Sequence, residues 1–225
     1  MYQPALAIKV RAKFLRLSKE NTVAIKALRR AGALVLLALV TALAGVAHAS
    51  SASAGVVACD GQTFVQPFLP WLDPGRYVLM GNGALESTSG WTLTNGAKLV
   101  SGNEPWKVNA STDSHSLSLP SGSSATTPSL CVTLLHPDLR FFVANSGSVL
   151  STLKVEAITT VLGVRLTTPI GLLTAGGSWQ PTLPLPYLQN LLVGTQGTVQ
   201  FRFTPVGLGS GWRIDDVYVD PFKAR

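Results

Sequence analysis

Hydrophobic and polar residues alternate strictly along residues 198–204. Val199, Phe201 and Phe203 occupy every second position, and polar side chains fill the positions between them. Successive side chains of a β-strand point to opposite faces, so this period of two predicts a strand with one buried and one solvated face. Runs rich in β-forming residues predict further strands at residues 115–119, 140–144, 153–160, 164–168 and 212–219.

Turn-forming residues separate these predicted strands. The pair Asn95-Gly96 lies between residues 91–94 and 97–100, which predicts a hairpin with a tight turn. Apart from a short stretch at residues 188–192, no segment after residue 49 has a helical period of apolar residues. Many short strands of unequal length, joined by long loops, predict an all-β protein built as an antiparallel β-sandwich.

The first 49 residues have a different character. Residues 31–47 are seventeen residues without a charge, and they directly follow Arg29-Arg30. A basic segment, an apolar helix and small residues at Ala47 and Ala49 predict a secretory signal peptide at residues 1–49. The alternative is an uncleaved N-terminal membrane anchor. We expect residues 50–75 to form an extension that leads into a β-sandwich domain at residues 76–225.

The charge of the chain is concentrated in the same N-terminal segment. The formal net charge is +7, and residues 1–49 contain eight of the 18 basic residues but one of the 11 acidic residues. The ten basic and ten acidic residues that follow cancel, so the domain has no surplus of positive charge with which to bind phosphates. We therefore expect no nucleic acid partner, and membrane contact only through an uncleaved N-terminal segment.

The cysteines and histidines of the chain indicate the cellular compartment of the protein and the reactions open to it. Cys59 and Cys131 are the two cysteines of the chain, and in an exported protein they are expected to form a disulfide. Beyond the predicted signal the histidines are His115 and His136, which offer neither the spacing of a zinc site nor a separated catalytic triad. We expect a secreted protein that is not an enzyme.

Two segments carry a family resemblance. Residues 81–91 read GNGALESTSGW, and residues 212–220 read WRIDDVYVD. The pair resembles the opening and closing strands of carbohydrate-binding modules with the galactose-binding-like jelly-roll fold, although Leu85 stands where that family usually has Phe. The resemblance implies that the first and last strands are neighbours. It also implies a structural calcium ion held by Glu86 and Asp215, with help from carbonyl groups of the turn at residues 81–83.

Two tryptophans lie in loop-like contexts beside polar residues, as sugar binding requires. Trp106 follows Asn103 and Glu104, and Trp179 precedes Gln180. A flat aromatic ring with a few polar groups is the usual composition of a sugar site, so these five residues are the candidate ligand-binding residues. The alternative is that both rings only cover the ends of the sandwich.

These observations predict a secreted, non-catalytic β-sandwich module that binds carbohydrate at or outside the cell surface. Its partner would be a polysaccharide. The alternative function is a structural or interaction protein of the cell envelope that binds no sugar.

Overall fold

The computed structural model describes residues 61–132, 138–187 and 197–220. The predicted signal at residues 1–49, Cys59, His136 and the stretch at residues 188–192 lie outside the described residues. Nearly all of the regular secondary structure in the described chain is β-strand. They are β1 (Phe64–Val65), β2 (Tyr77–Leu79), β3 (Thr92–Thr94), β4 (Lys98–Ser101), β5 (His115–Pro120), β6 (Ser124–Thr126), β7 (Leu130–Val132), β8 (Asp138–Asn145), β9 (Thr152–Val161), β10 (Val164–Leu173), β11 (Gln180–Pro181), β12 (Leu185–Pro186), β13 (Gly197–Val206) and β14 (Gly211–Asp220).

The strands form two sheets. The larger sheet contains β1, β2, β4, β5, β8, β11, β12 and β14, and the smaller sheet contains β3, β6, β7, β9, β10 and β13. Every strand pair is antiparallel. The all-β antiparallel sandwich predicted from the sequence is confirmed.

The main core lies between the two sheets. Phe201 and Phe203 of β13 are fully buried there, together with Phe141 of β8 and Trp212 and Ile214 of β14. Burial alternates along β13 as the sequence pattern predicted. Removing each such large apolar side chain from water contributes about 1.5–3 kcal/mol, so these residues hold the two sheets face to face.

The opening and closing segments of the domain lie side by side. Tyr218 of β14 pairs with Leu79 of β2. Just beyond β2, the Val217 amide donates to the Gly83 carbonyl at 3.0 Å. A Cβ atom on Gly83 would lie 2.7 Å from the Val217 carbonyl oxygen, so this close approach requires glycine. The two segments that resemble carbohydrate-binding modules are therefore neighbours in the structure, as the resemblance implies.

The predicted hairpin at Asn95-Gly96 is wrong, although its turn is present. Both residues have positive φ angles, 50° and 89°, and the Ala97 amide donates to the Thr94 carbonyl at 3.1 Å. However, β3 pairs with β6 in the smaller sheet, whereas β4 pairs with β5 in the larger sheet. The turn carries the chain from one sheet to the other, and the alternation along each strand does not reveal which partner it takes.

The sandwich already includes part of the expected extension at residues 50–75. Phe64 and Val65 form β1, which pairs with β2, and a short 3-10 helix follows at Leu69–Trp71. Phe68, just before that helix, is fully buried. Within the described ranges, no helix is long and apolar enough to cross a membrane.

Candidate functional site

A second group of buried side chains lies on the outer face of the larger sheet, which is the face turned away from the main core. Four rings form this outer-face cluster, namely Phe68, Tyr77, Phe142 and Tyr218. Phe142 and Tyr218 reach this face because their sequence neighbours, such as Phe141 and Val219, point into the main core. Segments from distant parts of the chain therefore cover a sheet face that a simple sandwich would leave in water.

A buried arginine ties two of the covering segments to the sheet. The Arg140 guanidinium lies 4.0 Å from the centre of the Phe68 ring and forms an ion pair with Asp73. Its Nε and Nη2 atoms both donate to the Thr182 carbonyl, at 2.9 and 2.7 Å. Tyr77 also donates its hydroxyl to Asp73 at 2.6 Å. The segments around Phe68 and Thr182 are thus fixed to β8 by bonds to charged groups, which are stronger than neutral hydrogen bonds.

Trp106 forms an exposed aromatic surface at the edge of this cluster. Its side chain is 46% exposed. The ring centre lies 4.9 Å from that of Trp71, at nearly a right angle, and 5.5 Å from that of Phe142. Aromatic pairs in these geometries attract one another beyond their area of contact. The ring is therefore supported from behind while part of it remains open to solvent.

Glu104 fixes the loop that presents Trp106, and it does so from inside the protein. Its carboxylate accepts hydrogen bonds from the backbone amides of Trp106 and Val108, at 2.5 and 2.7 Å. Its own amide donates to the Asp215 carboxyl at 3.0 Å. The side chain is fully buried, so Glu104 does not face a ligand on this surface as the sequence had led us to expect.

Asn103 is also turned largely inward. Its side-chain nitrogen donates to the Glu104 carbonyl at 3.1 Å. Its side-chain oxygen is enclosed and has no hydrogen-bond partner within the described residues. Asn103 and Glu104 therefore shape the Trp106 loop, and spacing in the sequence could not distinguish this role from direct ligand contact.

The second candidate tryptophan lies on the same outer face. Trp179 is half-buried and packs against the outer-face cluster. The guanidinium carbon of Arg213 lies 5.4 Å from the centre of its ring. Gln180 is exposed and pairs with Val143 of β8. The structure thus brings Trp106 and Trp179 onto one face, although more than seventy residues separate them in sequence. Gln180 does not join them, because its partner Val143 points into the main core and directly paired residues share a face.

Four buried carboxyl groups lie behind the Trp106 loop, namely Glu104, Asp113, Asp215 and Asp216. Burial, and then the neighbouring Asp215, raises the pKa of Asp216 to about 9. Burial also raises the pKa of Asp215 to about 8, despite hydrogen bonds from the amides of Glu104 and Asp216. Burial therefore favours the protonated form of both aspartic acids, compared with an aspartic acid in water.

An irregular β14 explains why Asp215 and Asp216 share these surroundings. In a regular strand the two side chains would point to opposite faces. The pairing of β14 with β8 instead shifts register between Asp215 and Tyr218, and Asp216 has a φ angle of 45°. The side chain of Asp216 is fully buried, and its hydrogen bond with the Glu104 carboxyl contributes to its raised pKa. The sequence pattern did not reveal this bulge, nor the part played by Asp113.

Glu86 has different partners from Asp215. The amides of Ser114 and His115 donate to Glu86 Oε1 at 2.6 and 2.7 Å, and His115 Nδ1 lies 2.8 Å from Oε2. Burial would raise the pKa of Glu86, but the bonds from His115 and Ser114 outweigh it and lower the pKa to about 2. The acidic groups that act on Asp215 are instead Glu104 and Asp113.

As placed, the predicted pair does not fit a calcium ion. Glu86 is held by the start of β5, whereas Asp215 is enclosed behind the Trp106 loop. The carbonyls expected to complete the site already accept hydrogen bonds, Gly81 from the Trp91 ring nitrogen and Gly83 from the Val217 amide. In residues 61–132, 138–187 and 197–220, no group of three or more histidine, cysteine or acidic residues is placed to hold a metal ion.

Comparison with known proteins finds similarity among solved structures. No model of a protein family matches the chain. No curated protein matches it either. The solved structures that share the fold include carbohydrate-binding modules of families 22, 61 and 11.

Three of these structures illustrate the range of similarity. The CBM22-1 xylan-binding domain of Paenibacillus barcinonensis Xyn10C is 16% identical, with 67% of this chain and 97% of that chain covered and a TM-score of 0.46. The CBM22-1–GH10 modules of Clostridium thermocellum Xyn10B, complexed with xylohexaose, are 12% identical, with 65% and 28% covered and a TM-score of 0.47. TmCBM61, in complex with β-1,4-galactotriose, is 14% identical, with 64% and 97% covered and a TM-score of 0.38. At these identities and TM-scores, the likeness transfers no ligand to this chain.

Proposed function

We propose that this protein binds polysaccharide on the outer face of its larger sheet and performs no catalysis. The observation that carries the proposal is Trp106, an aromatic ring that is 46% exposed yet supported by Trp71 and Phe142. The apolar faces of sugar rings stack on such surfaces, and a large aromatic side chain contributes much contact area for few rotatable bonds.

The Trp106 loop is already ordered before any ligand arrives. Two amides of the loop bond to the buried Glu104 carboxylate, and the Glu104 amide bonds to Asp215. A surface that is fixed in advance loses little conformational freedom on binding, so more of the stacking energy appears as affinity. Burial of Glu104 therefore supports the proposed function even though its side chain does not contact the ligand.

Trp179 provides the second part of the surface. It packs against the same outer-face cluster that supports Trp106. A ligand that touches both tryptophans contacts two separate aromatic rings, which favours a polymer over a single sugar.

The non-catalytic part of the proposal rests on the burial of the acids near Trp106. Hydrolysis of a glycosidic bond normally needs two carboxyl groups that flank it. Here Glu104 and Asp215 are both fully buried, and neither reaches a polymer lying on the Trp106 ring. The face therefore offers contact surface for a sugar chain without an acid and base placed to cleave it.

The cellular setting is a proposal from the sequence. Residues 1–49 would export the chain, and a disulfide between Cys59 and Cys131 would form outside the cytoplasm. The site of action would then be at or outside the cell surface. An uncleaved N-terminal segment would instead keep the same domain attached to the membrane.

Affinity electrophoresis tests the proposal. The purified wild-type protein is run in gels containing xylan, β-1,4-galactan or polygalacturonate, beside Trp106→Ala, Trp179→Ala and Leu162→Ala. Leu162 is 99% exposed at the turn between β9 and β10 in the smaller sheet, so it controls for loss of an exposed apolar side chain. We expect at least one polysaccharide to retard the wild type and Leu162→Ala, and Trp106→Ala to lose most of that retardation.

Two results would contradict the proposed site or function. If Trp106→Ala binds as tightly as the wild type, the site is not on this face. If no polysaccharide retards the wild-type protein, the result favours the alternative of an envelope protein that binds no sugar.

A further inference from the structure

A row of side chains crosses the outer face of the larger sheet beside the Trp106 loop. Arg213 of β14 lies directly between Ser118 of β5 and Ala144 of β8. At one end of the row, Lys98 of β4 pairs with Ser118. At the other end, Gln180 pairs with Val143, so the residue before it, Trp179, lies beside Ala144. We call these five residues the cationic row.

Side-chain direction places the whole row on the outer face. The neighbours of Arg213 along β14, Trp212 and Ile214, are buried in the main core, so Arg213 points away from it. Residues that pair directly across antiparallel strands share a face, which carries the assignment to Ser118, Lys98 and Ala144. Ser118 lies between Lys98 and Arg213, and Ala144 lies between Arg213 and Trp179. Both are small, Lys98 is exposed, and Arg213 is partly exposed.

The positive charge of Arg213 is not balanced by a carboxylate. Its Nε and Nη2 atoms donate to Ser116 Oγ, and Nη2 also donates to the carbonyls of Ser101 and Gly102, at 3.0 and 2.5 Å. These acceptors are all neutral. The ion pairs found among the described residues involve other groups, and neither Arg213 nor Lys98 takes part in them.

The orientation of Arg213 leaves part of its hydrogen-bonding capacity open. Within the described chain its Nη1 atom has no hydrogen bond, while Nε and Nη2 are held by β5 and the end of β4. The guanidinium also lies 5.4 Å from the Trp179 ring centre. A planar guanidinium that is held on one side and lies over an aromatic ring is well suited to bind an incoming carboxylate.

Lys98 adds a second positive charge at a defined spacing. It is exposed, and two strand spacings separate it from Arg213, which is roughly 10 Å. Two cations in line across a sheet, with an aromatic ring at one end, match a linear polymer that carries both sugar rings and repeated negative charges. A neutral polysaccharide would leave both cations without a partner.

We propose that the ligand of this face is an acidic polysaccharide, with sugar carboxylates bound by Arg213 and Lys98 and a sugar ring stacked on Trp179. The inference rests on the proposed carbohydrate-binding function and names the chemical class of its ligand. It also assigns a role to Arg213 and Lys98, which the sequence patterns did not single out.

Two polymers that share one backbone test the charge requirement. Polygalacturonate carries a carboxylate on each sugar, whereas its methyl-esterified form is neutral. We expect the full-length protein to bind polygalacturonate at least about tenfold more tightly than the ester. We also expect sodium chloride to weaken binding of polygalacturonate and to leave binding of the ester nearly unchanged, since salt screens exposed charges.

Variants of Lys98 and Arg213 test whether the cationic row causes the preference for polygalacturonate. Lys98→Met and Arg213→Met are compared with Arg165→Met, which removes an exposed positive charge from β10 in the smaller sheet. We expect about a fivefold loss of affinity for polygalacturonate with Lys98→Met, about a tenfold loss with Arg213→Met and none with Arg165→Met. Arg213 also bonds to the end of β4, so its variant is checked by thermal unfolding. Lys98 has no such bonds among the described residues and gives the independent test.

The outcomes separate this inference from the proposed function. Equal binding of the two polymers, with loss in Trp106→Ala, would overturn the acidic ligand and leave carbohydrate binding in place. Equal losses in Lys98→Met and Arg165→Met would show a general charge effect and overturn the role of the row. Absence of binding to any polysaccharide would overturn both.

Discussion

The outer faces of the two sheets differ in what covers them. On the smaller sheet, Glu156 of β9 lies between Lys154 and Arg202, at 3.1 and 2.8 Å, in a partly exposed group of charges. On the larger sheet, the equivalent outward positions of β8 and β14 carry Phe142 and Tyr218, which are buried under loops. The outer face of the smaller sheet carries partly exposed charges, whereas loops cover the outer face of the larger sheet around β8 and β14.

This difference bears on the proposed function. The covered face requires segments from three distant parts of the chain, which carry Phe68, Trp106 and Trp179. The rings at the edge of this cover are held rigidly and remain partly exposed. This covered face is the one on which we propose that the polysaccharide binds.

Replacing Phe142 should lower the free energy of unfolding more than any other change predicted for the two outer faces. Phe142→Ala removes a fully buried ring that contacts Phe68, Trp71 and Trp106, so we expect the free energy of unfolding to fall by about 3–5 kcal/mol. Urea unfolding measures the change. The control is Leu172→Ala on β10, an exposed position where we expect less than about 0.5 kcal/mol. Similar losses at both positions would contradict the difference between the two faces.

The pH dependence of stability should have opposite signs on the two faces, with the larger effect behind the Trp106 loop. Asp215 and Asp216 have raised pKa values of about 8 and 9 in the folded protein. Their protonated forms stabilise the fold, so this contribution is complete below about pH 4 and is lost as the pH rises through 8 to 9. We expect thermal unfolding to occur at a lower temperature at pH 9 than at pH 6.

Asp216→Asn sharpens this test. Asparagine tolerates the positive φ angle of residue 216 and stays neutral at high pH. We expect the variant to lose most of the decline between pH 6 and 9 and to be more stable than the wild type at pH 9 by about 2 kcal/mol. Added calcium or EDTA should leave the melting temperature unchanged at both pH values. A rise with calcium that EDTA reverses would show that carboxylates of the chain hold an ion after all.

The smallest effect is expected at Glu156 on the smaller sheet. Partial burial would raise its pKa, but hydrogen bonds and charge interactions with Arg202 and Lys154 lower it overall. Its contribution is therefore present above the pKa of an unfolded glutamate and is lost as the pH falls through the lowered value. Both basic partners are about one-third exposed, so Glu156→Gln should cost less than about 1 kcal/mol at pH 7. A cost as large as that of Phe142→Ala would contradict a solvated outer face.

The same contrast explains how far the sequence could predict the structure. The period of two along Val199, Phe201 and Phe203 predicted β13 because water covers one side of that strand. No comparable alternation marks β14, since both of its faces are buried. The turn at Asn95-Gly96 was visible in the sequence. Which sheet each flanking strand joins depends instead on long-range pairing, of β3 with β6 and of β4 with β5.

The site was predictable residue by residue only in part. Trp106 was identified from its loop context, and the structure places its ring partly in solvent. Glu104 was identified by its position beside Trp106, yet its burial depends on Asp215, 111 residues away. Arg213 and Lys98 were not identified, because their alignment arises from strand register that spans three strands. Local composition indicates which residue types a site contains, and long-range pairing decides which of them reach its surface.

The indole signals of the five tryptophans test the central claim most directly. Each indole N–H gives a separate peak in a nitrogen–proton correlation spectrum, and Trp→Phe variants assign the peaks. During titration with polygalacturonate we expect the peaks of Trp106 and Trp179 to shift with the same apparent affinity, while those of the buried Trp91 and Trp212 stay in place. Binding that leaves the Trp106 and Trp179 peaks unmoved would contradict a carbohydrate-binding surface on the outer face of the larger sheet.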